Sequence, residues 1–367
     1  MGNTLEKEIV SGRYLSTVKG FWVLFSRISL YGFLFLSVAL ISGCASTEVE
    51  LHEEIQTPQK PLIWPSPPEP ARVSYFKTIS KPADIGANKG FFRKVAEFLL
   101  GPKYDDIIKP YGISTDSGGR ILVADTAFKR IHIYDVKNNK YSYIEEAGDA
   151  ALDSPIALAV DGEDNIYVTD SVANNVCVFN SKGRFLFSFN GGKRPTGIAI
   201  NKADKLVYVS DTGKHEINVY DLKGKRVNTI GKWGSQPGEF NYPVDIFIDG
   251  HGDLFVADSM NFRIQIFDKG GKFLSTFGHH GDGTGDFGRP KGISVDKEGN
   301  IYVADALFDT VQIFDRNGNF LLNFGRLGKE IGSFWLPSGV FIDSGDKIYI
   351  SDSYNRRIQV FEYHGNS

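Results

Sequence analysis

Residues Pro290–Gly325 read PKGISVDKEGNIYVADALFDTVQIFDRNGNFLLNFG, four short strands in succession. Ile293–Asp296, Ile301–Asp305, Val311–Asp315 and Phe320–Phe324 are rich in Val, Ile, Phe and Tyr, and the turns carry Gly, Asn or Asp. One antiparallel sheet of this size cannot bury both faces alone, so it needs copies of itself. The copies are present. The aspartate of Val-Ala-Asp recurs as Asp125, Asp170, Asp211, Asp258, Asp305 and Asp352, and a proline opens each unit at Pro110, Pro155, Pro195, Pro243, Pro290 and Pro337. The last three steps between these prolines are 48, 47 and 47 residues, and the earlier ones are 45 and 40. Six such units predict an all-β chain, a six-bladed β-propeller of four-stranded antiparallel blades. Helical periodicity is absent inside the units, which excludes a helical repeat of similar period.

The pattern P-x-G-I-x-V-D, G-N-I-Y-V-A-D, I-Q-I-F-D and G-x-F-L-x-x-F-G resembles the NHL repeat across residues 110–361, near consensus in blades 4 to 6 and looser in blades 1 to 3. The resemblance implies a propeller like those of bacterial NHL lipoproteins of unassigned role. Such propellers include a zinc-dependent peptidyl-amidoglycolate lyase, related six-bladed folds include calcium-dependent lactonases, and some bind RNA on a basic face. Fold alone does not choose among these.

The composition narrows the choice. The formal charge is −3 over 367 residues, which gives no basic footprint for nucleic acid. The two cysteines, Cys44 and Cys177, make no disulfide framework, and Cys177 sits between Val176 and Val178 as a core residue. The seven histidines show no metal-ligand spacing, and there is no G-x-S-x-G elbow or phosphate loop. No cofactor is expected.

Residues 1–44 read as an address. Lys7, Arg13, Lys19 and Arg27 precede an apolar run, Ile28–Ile41, of 14 residues, too short for a comfortable span. Leu40-Ile41-Ser42-Gly43-Cys44 resembles the bacterial lipobox, which implies diacylation of Cys44. Each buried CH₂ of an acyl chain contributes about 0.8 kcal/mol of membrane grip. Ala45, where an Asp would retain a lipoprotein at the inner membrane, implies the outer membrane.

Residues 45–70, polar and then proline-rich, are expected to form an extended tether. The last blade shows three strands and then ends, so the β-like run at residues 72–79 is expected to supply its missing outer strand and close the ring. Residues 91–100 have helical spacing, stopped by Gly101-Pro102, and read as a helix packed on one face of the propeller or as a partner-binding or membrane-dipping helix. Residues 71–109 thus hold the closing strand and the linking helix, and 110–367 hold the repeats.

In each blade the first strand lines the channel, and the loops after strands two and four lie on the top face. Candidate top-face contacts are Arg130, His215, Arg263, His279, His280, Trp335 and Arg356. Phe240, Phe287 and Phe334 recur three residues before a proline and are expected to be buried anchors. The six strand-end aspartates suggest a carboxylate ring, but a short acceptor there is better suited to binding the turn's own N–H groups. Two residues after each opening proline stand Gly112, Ala157, Gly197, Asp245, Gly292 and Gly339. Asp245 is the outlier at the channel mouth, either a site or an ion pair with Lys291. These features favour a membrane-anchored, non-catalytic scaffold for an envelope protein, peptide or glycan, without nucleic acid. The alternative is a metal-dependent lyase or lactonase acting in the channel.

Overall fold

Residues 55–367 form one compact unit. Within it the structure, a computed structural model, describes residues 61–87, 99 and 104–365. The lipobox with Cys44, and the expected helix at 91–100 except for Leu99, lie outside the described residues. No helix among them is long and apolar enough to cross a membrane.

Six sheets stand around a central channel. Blade 1 runs Pro110–Thr115, Ile121–Asp125, Arg130–Asp135, Lys140–Ile144, and blade 2 runs Pro155–Val160, Ile166–Asp170, Asn175–Phe179, Phe185–Asn190. Blade 3 runs Pro195–Asn201, Leu206–Asp211, Glu216–Asp221, Arg226–Ile230, and blade 4 runs Pro243–Ile248, Leu254–Asp258, Arg263–Phe267, Phe273–Phe277. Blade 5 runs Pro290–Val295, Ile301–Asp305, Thr310–Phe314, Phe320–Phe324. Each is antiparallel with its strands in chain order. The first strands pack side by side in a closed ring, blade 6 returning to blade 1. Second and third strands are buried almost throughout, whereas the outer fourth strands are largely open to solvent, alternating in Phe185–Asn190. Large side chains fill the space between blades, and Phe240, Phe287 and Phe334 are fully buried anchors, as expected.

Blade 6 is composite. Pro337–Ile342, Lys347–Asp352 and Arg357–Tyr363 come from the C-terminal end, and Val73–Ile79 pairs antiparallel with the last of them, Val73 opposite Tyr363 and Ile79 opposite Ile358. The expected closure is therefore observed. At the seam with blade 1, the Ser338 and Ser353 hydroxyls donate to the Pro110 carbonyl, and the Ser351 hydroxyl donates to that of Tyr111.

The stretch expected as a tether behaves differently at its end. Ile63–Trp64 adds a fifth strand outside Val73–Ile79, with Trp64 opposite Val73. The Trp64 ring lies 5.8 Å from Phe324 and 5.7 Å from Phe361. It covers Gly332, where a Cβ would come within 2.9 Å of the indole. Proline-rich composition signals an extended chain, but an extended chain with one large aromatic still docks where an open edge and an apolar surface coincide. Trp64→Ala is expected to lower stability by roughly 2 kcal/mol, below the 3–5 kcal/mol of a fully buried aromatic because Trp64 is half-buried. Deleting residues 61–79 is expected to abolish cooperative unfolding. Denaturant titration followed by circular dichroism measures both.

Candidate functional site

The top face is built on the six strand-end aspartates. Asp125 accepts from Ile108 N at 2.7 Å and Lys109 N at 3.2 Å upstream, and from Ala127 N at 2.9 Å and Phe128 N at 3.1 Å in its own turn. Asp170 does the same with Asp153, Ser154, Val172 and Ala173, and Asp305 with Gly288, Arg289, Leu307 and Phe308. Asp211 accepts from Lys193, Arg194 and Gly213. In blades 4 and 6 side chains replace some amides. Asp258 takes Asn241 N, Asn261 Nδ2, Arg263 Nε and Gln265 Nε2, and Asp352 takes Trp335 N, Asn355 Nδ2, Arg357 Nε and Gln359 Nε2. All six are buried. The carboxylates thus serve backbone and neighbouring side chains, and form no ring around the channel.

Two of the seven candidate contacts are structural. Arg263 is a clamp, because its guanidinium donates to the Ser235, Gln236 and Glu239 carbonyls as well as to Asp258. Arg130 is buried, ion-paired to Glu145 at 3.4 Å and packed on Phe128 and Tyr143. It stands at the position of Arg263 in its blade, and a third-strand residue there points into the loop junction. His215 adopts a left-handed backbone, accepts from Tyr242 N at Nδ1 and is half-buried against the Tyr242 ring. His279 is exposed with Nε2 2.7 Å from Asp286, and exposed His280 lies 4.4 Å from Phe262. The two histidines therefore serve separate partners. Arg356 is exposed, and Trp335 is 40% exposed and lies 5.6 Å from Tyr354.

The channel holds about 270 Å³, lined mostly by Ile, Val, Leu, Ala and Phe of the first strands with Ser114, Thr115 and Lys202, and Asp245 is the one acidic side chain among the lining residues. The glycines two residues past the prolines are required by close approach. A Cβ at Gly112 would lie 2.7 Å from Ala157 Cα, and one at Gly339 would lie 2.2 Å from the Tyr111 carbonyl oxygen. Asp245 accepts the Ile293 N–H of the next blade at 3.1 Å. The expected ion pair with Lys291 is not formed. The ladder is irregular just after the proline in both blades, and there Asp245 turns to the Ile293 N–H rather than to Lys291. Lys291 Nζ instead lies 5.2 Å from the Tyr111 ring centre. Burial pushes Asp245 up to about 7, against the Ile293 and Ile246 N–H groups. Burial pulls Lys291 down to about 8, helped by Arg289 and Lys109. Burial, with Asp245 adding, pushes Tyr111 up to about 12 against Arg289 and Arg194.

Sequence reasoning missed Lys109, Arg194, Arg289 and Tyr111. The signal was available, since a cation precedes the opening proline in blades 1, 3 and 5 alone. Each of the three donates its backbone N–H to its blade's clamp aspartate, and each side chain is exposed at the channel rim. Cys177 is buried, its thiol pushed up to about 11 by burial, as its core reading expects.

Two substitutions check this assignment. Arg263→Ala is expected to cost about 3 kcal/mol, because it leaves Asp258 and three carbonyls short of donors, whereas Arg356→Ala stays within about 0.5 kcal/mol. Asp245→Asn keeps an acceptor for Ile293 and removes the charge. The folded chain holds the Asp245 proton more tightly than the unfolded chain, so ionisation costs stability progressively from the unfolded value near 4 up to about 7. The Asn variant should therefore melt higher than the wild type at pH 8 and equal it near pH 3. Equal melting temperatures at both values would contradict the assignment.

Comparison with known proteins agrees with the architecture. A family model described as "6-bladed beta-propeller" matches residues 197–254 and 250–308, and an NHL repeat model matches residues 334–361. No curated protein sequence matches the chain. Among solved structures, a structural genomics protein of unknown function from Bacteroides thetaiotaomicron is similar at TM-score 0.56 and 14% identity, covering 80% of this chain and 76% of that one. Virginiamycin B lyase from Staphylococcus aureus is similar at TM-score 0.52 and 14% identity, covering 70% and 95%. Hydrazine synthase of Kuenenia stuttgartiensis is similar at TM-score 0.52 and 14% identity, covering 73% and 99%. At such identity these likenesses speak for the fold alone. The repeat matches and the six four-stranded blades together support an NHL-type propeller.

Proposed function

We propose that this chain is a lipid-anchored, non-catalytic binding propeller of the cell envelope that presents its top-face loops to a protein, peptide or glycan partner. The observation that carries this reading is the asymmetry of exposed apolar side chains. Val172, Trp233, Tyr242, Met260, Leu307, Leu327, Trp335 and Tyr354 are all exposed on top-face loops. None of the described bottom turns carries an exposed large apolar residue. Exposed Trp, Tyr and Met concentrated on one face are the composition of an interface rather than of a solvated surface. The clamps hold these side chains on fixed loops, which lowers the entropy cost of binding.

The alternative, metal-dependent lyase or lactonase chemistry in the channel, has less to support it. The cavity offers one carboxylate, and no three His, Cys, Asp or Glu side chains converge among the described residues. The anchor is read from the lipobox resemblance, and Ala45 in the position after Cys44 favours the outer membrane.

Two experiments test the reading. Cys44→Ser is expected to move the protein from the membrane fraction to the soluble fraction; retention in the membrane would remove lipidation as the anchor. A photo-crosslinking residue at Trp335 or Tyr354 is expected to capture a discrete envelope partner in intact cells, while one at the bottom-turn residue Glu163 captures none. Equal capture from both faces, or none from the top, would contradict a top-face binding function.

A further inference from the structure

Lys109, Arg194 and Arg289 stand one residue before the opening prolines of blades 1, 3 and 5, so they occupy alternate positions around the six-membered rim. Lys291 and Tyr111 stand one residue after theirs, and they meet over the first strand of blade 6. On the same arc, Lys109 Nζ lies 5.9 Å from the Tyr354 ring centre, and Tyr354 packs against Trp335. Blade 6 thus carries an aromatic pair with cations on both sides, Arg289 and Lys291 from blade 5 and Lys109 from blade 1. None of Lys109, Arg194, Arg289 and Lys291 makes an ion pair among the described residues, whereas Lys129 pairs with Asp153 and Lys214 with Glu216 elsewhere on the top face.

Gathering unpaired like charges, one of them partly desolvated, costs stability. The Tyr111 and Tyr354 rings offset part of that repulsion, and a bound anion would offset more of it. The first strands leave no acidic side chain at this level; Asp245 lies deeper, turned toward Ile293.

We propose that the mouth of the channel is an oxyanion site, in which Lys109, Arg289 and Lys291 hold a carboxylate or phosphate group of a ligand whose body lies against Trp335 and Tyr354, with Arg194 closing the opposite rim. The proposal rests on the top face being a binding surface and names the chemistry recognised there. Arginine supplies the planar fork that suits either oxyanion, and lysine adds a mobile charge. The clamps fix the backbone beneath Lys109, Arg194 and Arg289 before the ligand arrives. Charged groups facing Lys291 are Arg289 on its own blade and Lys109 from blade 1, with the Tyr111 phenol beside it and Asp245 below. As pH rises, Asp245 gains a negative charge and Lys291 loses a positive one, so both changes weaken an anion.

The test is calorimetric titration of the full chain in detergent with inorganic phosphate and with citrate. At least one is expected to bind; phosphate alone identifies a phosphate ligand, and citrate alone a carboxylate. Arg289→Ala and Lys291→Met are each expected to weaken that binding at least tenfold, with Lys291→Arg restoring it and the bottom-turn variant Lys223→Ala leaving it unchanged. Binding is expected to weaken between pH 7.5 and pH 9, where both probe anions already carry their higher charge and Lys291 loses its own. Melting temperatures establish that the variants fold. Absence of binding by both anions, or binding that the mouth variants leave unchanged, would overturn the proposal. If partner capture through Trp335 persists in that case, only this inference falls; if capture is absent as well, the binding reading falls with it.

Discussion

A buried carboxylate at the end of each second strand accepts hydrogen bonds from two directions, and the loops of the top face depend on it. One set of donors lies 16 to 18 residues upstream, where the chain enters the blade, and the other lies in the carboxylate's own turn or strand. A loop joining two blades would otherwise expose its N–H groups to competing water and move freely. Here each loop is tied to the blade it enters. Burial raises Asp258, Asp305 and Asp352 above the usual carboxylate range, and the surrounding N–H donors pull against that rise. Desolvating a carboxylate is tolerable only when donors replace its water. Removing one partner therefore leaves the other stranded, which makes the aspartates indispensable in place.

Ring closure extends the same logic to the whole domain. An open propeller would leave the third strand of blade 6 with unpaired backbone groups along one edge. Val73–Ile79 pairs that edge, and Ile63–Trp64 pairs the next. Trp64 then packs against Gly332, in the long loop that carries Phe334 and Trp335. The closing segment and the exposed aromatic pair thus share blade 6, so the blade assembled from both ends of the domain is also the one flanked by rim cations.

Much of this architecture was legible in the sequence because it is periodic. Proline, Val-Ala-Asp and the recurring Phe return at fixed offsets, and a residue that returns in every blade is placed by the blade. The closing strand was legible from a deficit, three strands where four are needed. The site was less so, because exposure is decided by single backbone steps. Arg356 and Arg357 are adjacent, yet the left-handed Arg356 projects to solvent and Arg357 enters the Asp352 clamp. Arg263 holds the same clamp position in blade 4 and was read as a contact. Asp245 and Lys291 looked paired because each sits within two residues of the opening proline in neighbouring blades, but Asp245 turns to the Ile293 N–H and Lys291 to the Tyr111 ring. The rim cations went unread because their pattern skips alternate blades and shows only when the prolines are aligned in a ring.

The central claim is that the aspartate clamps hold the top-face loops rigid before any partner binds. Hydrogen exchange of the backbone amides of Lys109, Arg194 and Arg289 in the unliganded chain tests it most directly. The account predicts protection comparable to that of the first-strand amides of the same blades. Exchange at the rate of free loops would mean that the clamps do not hold in solution, and that the face is organised only when a partner arrives.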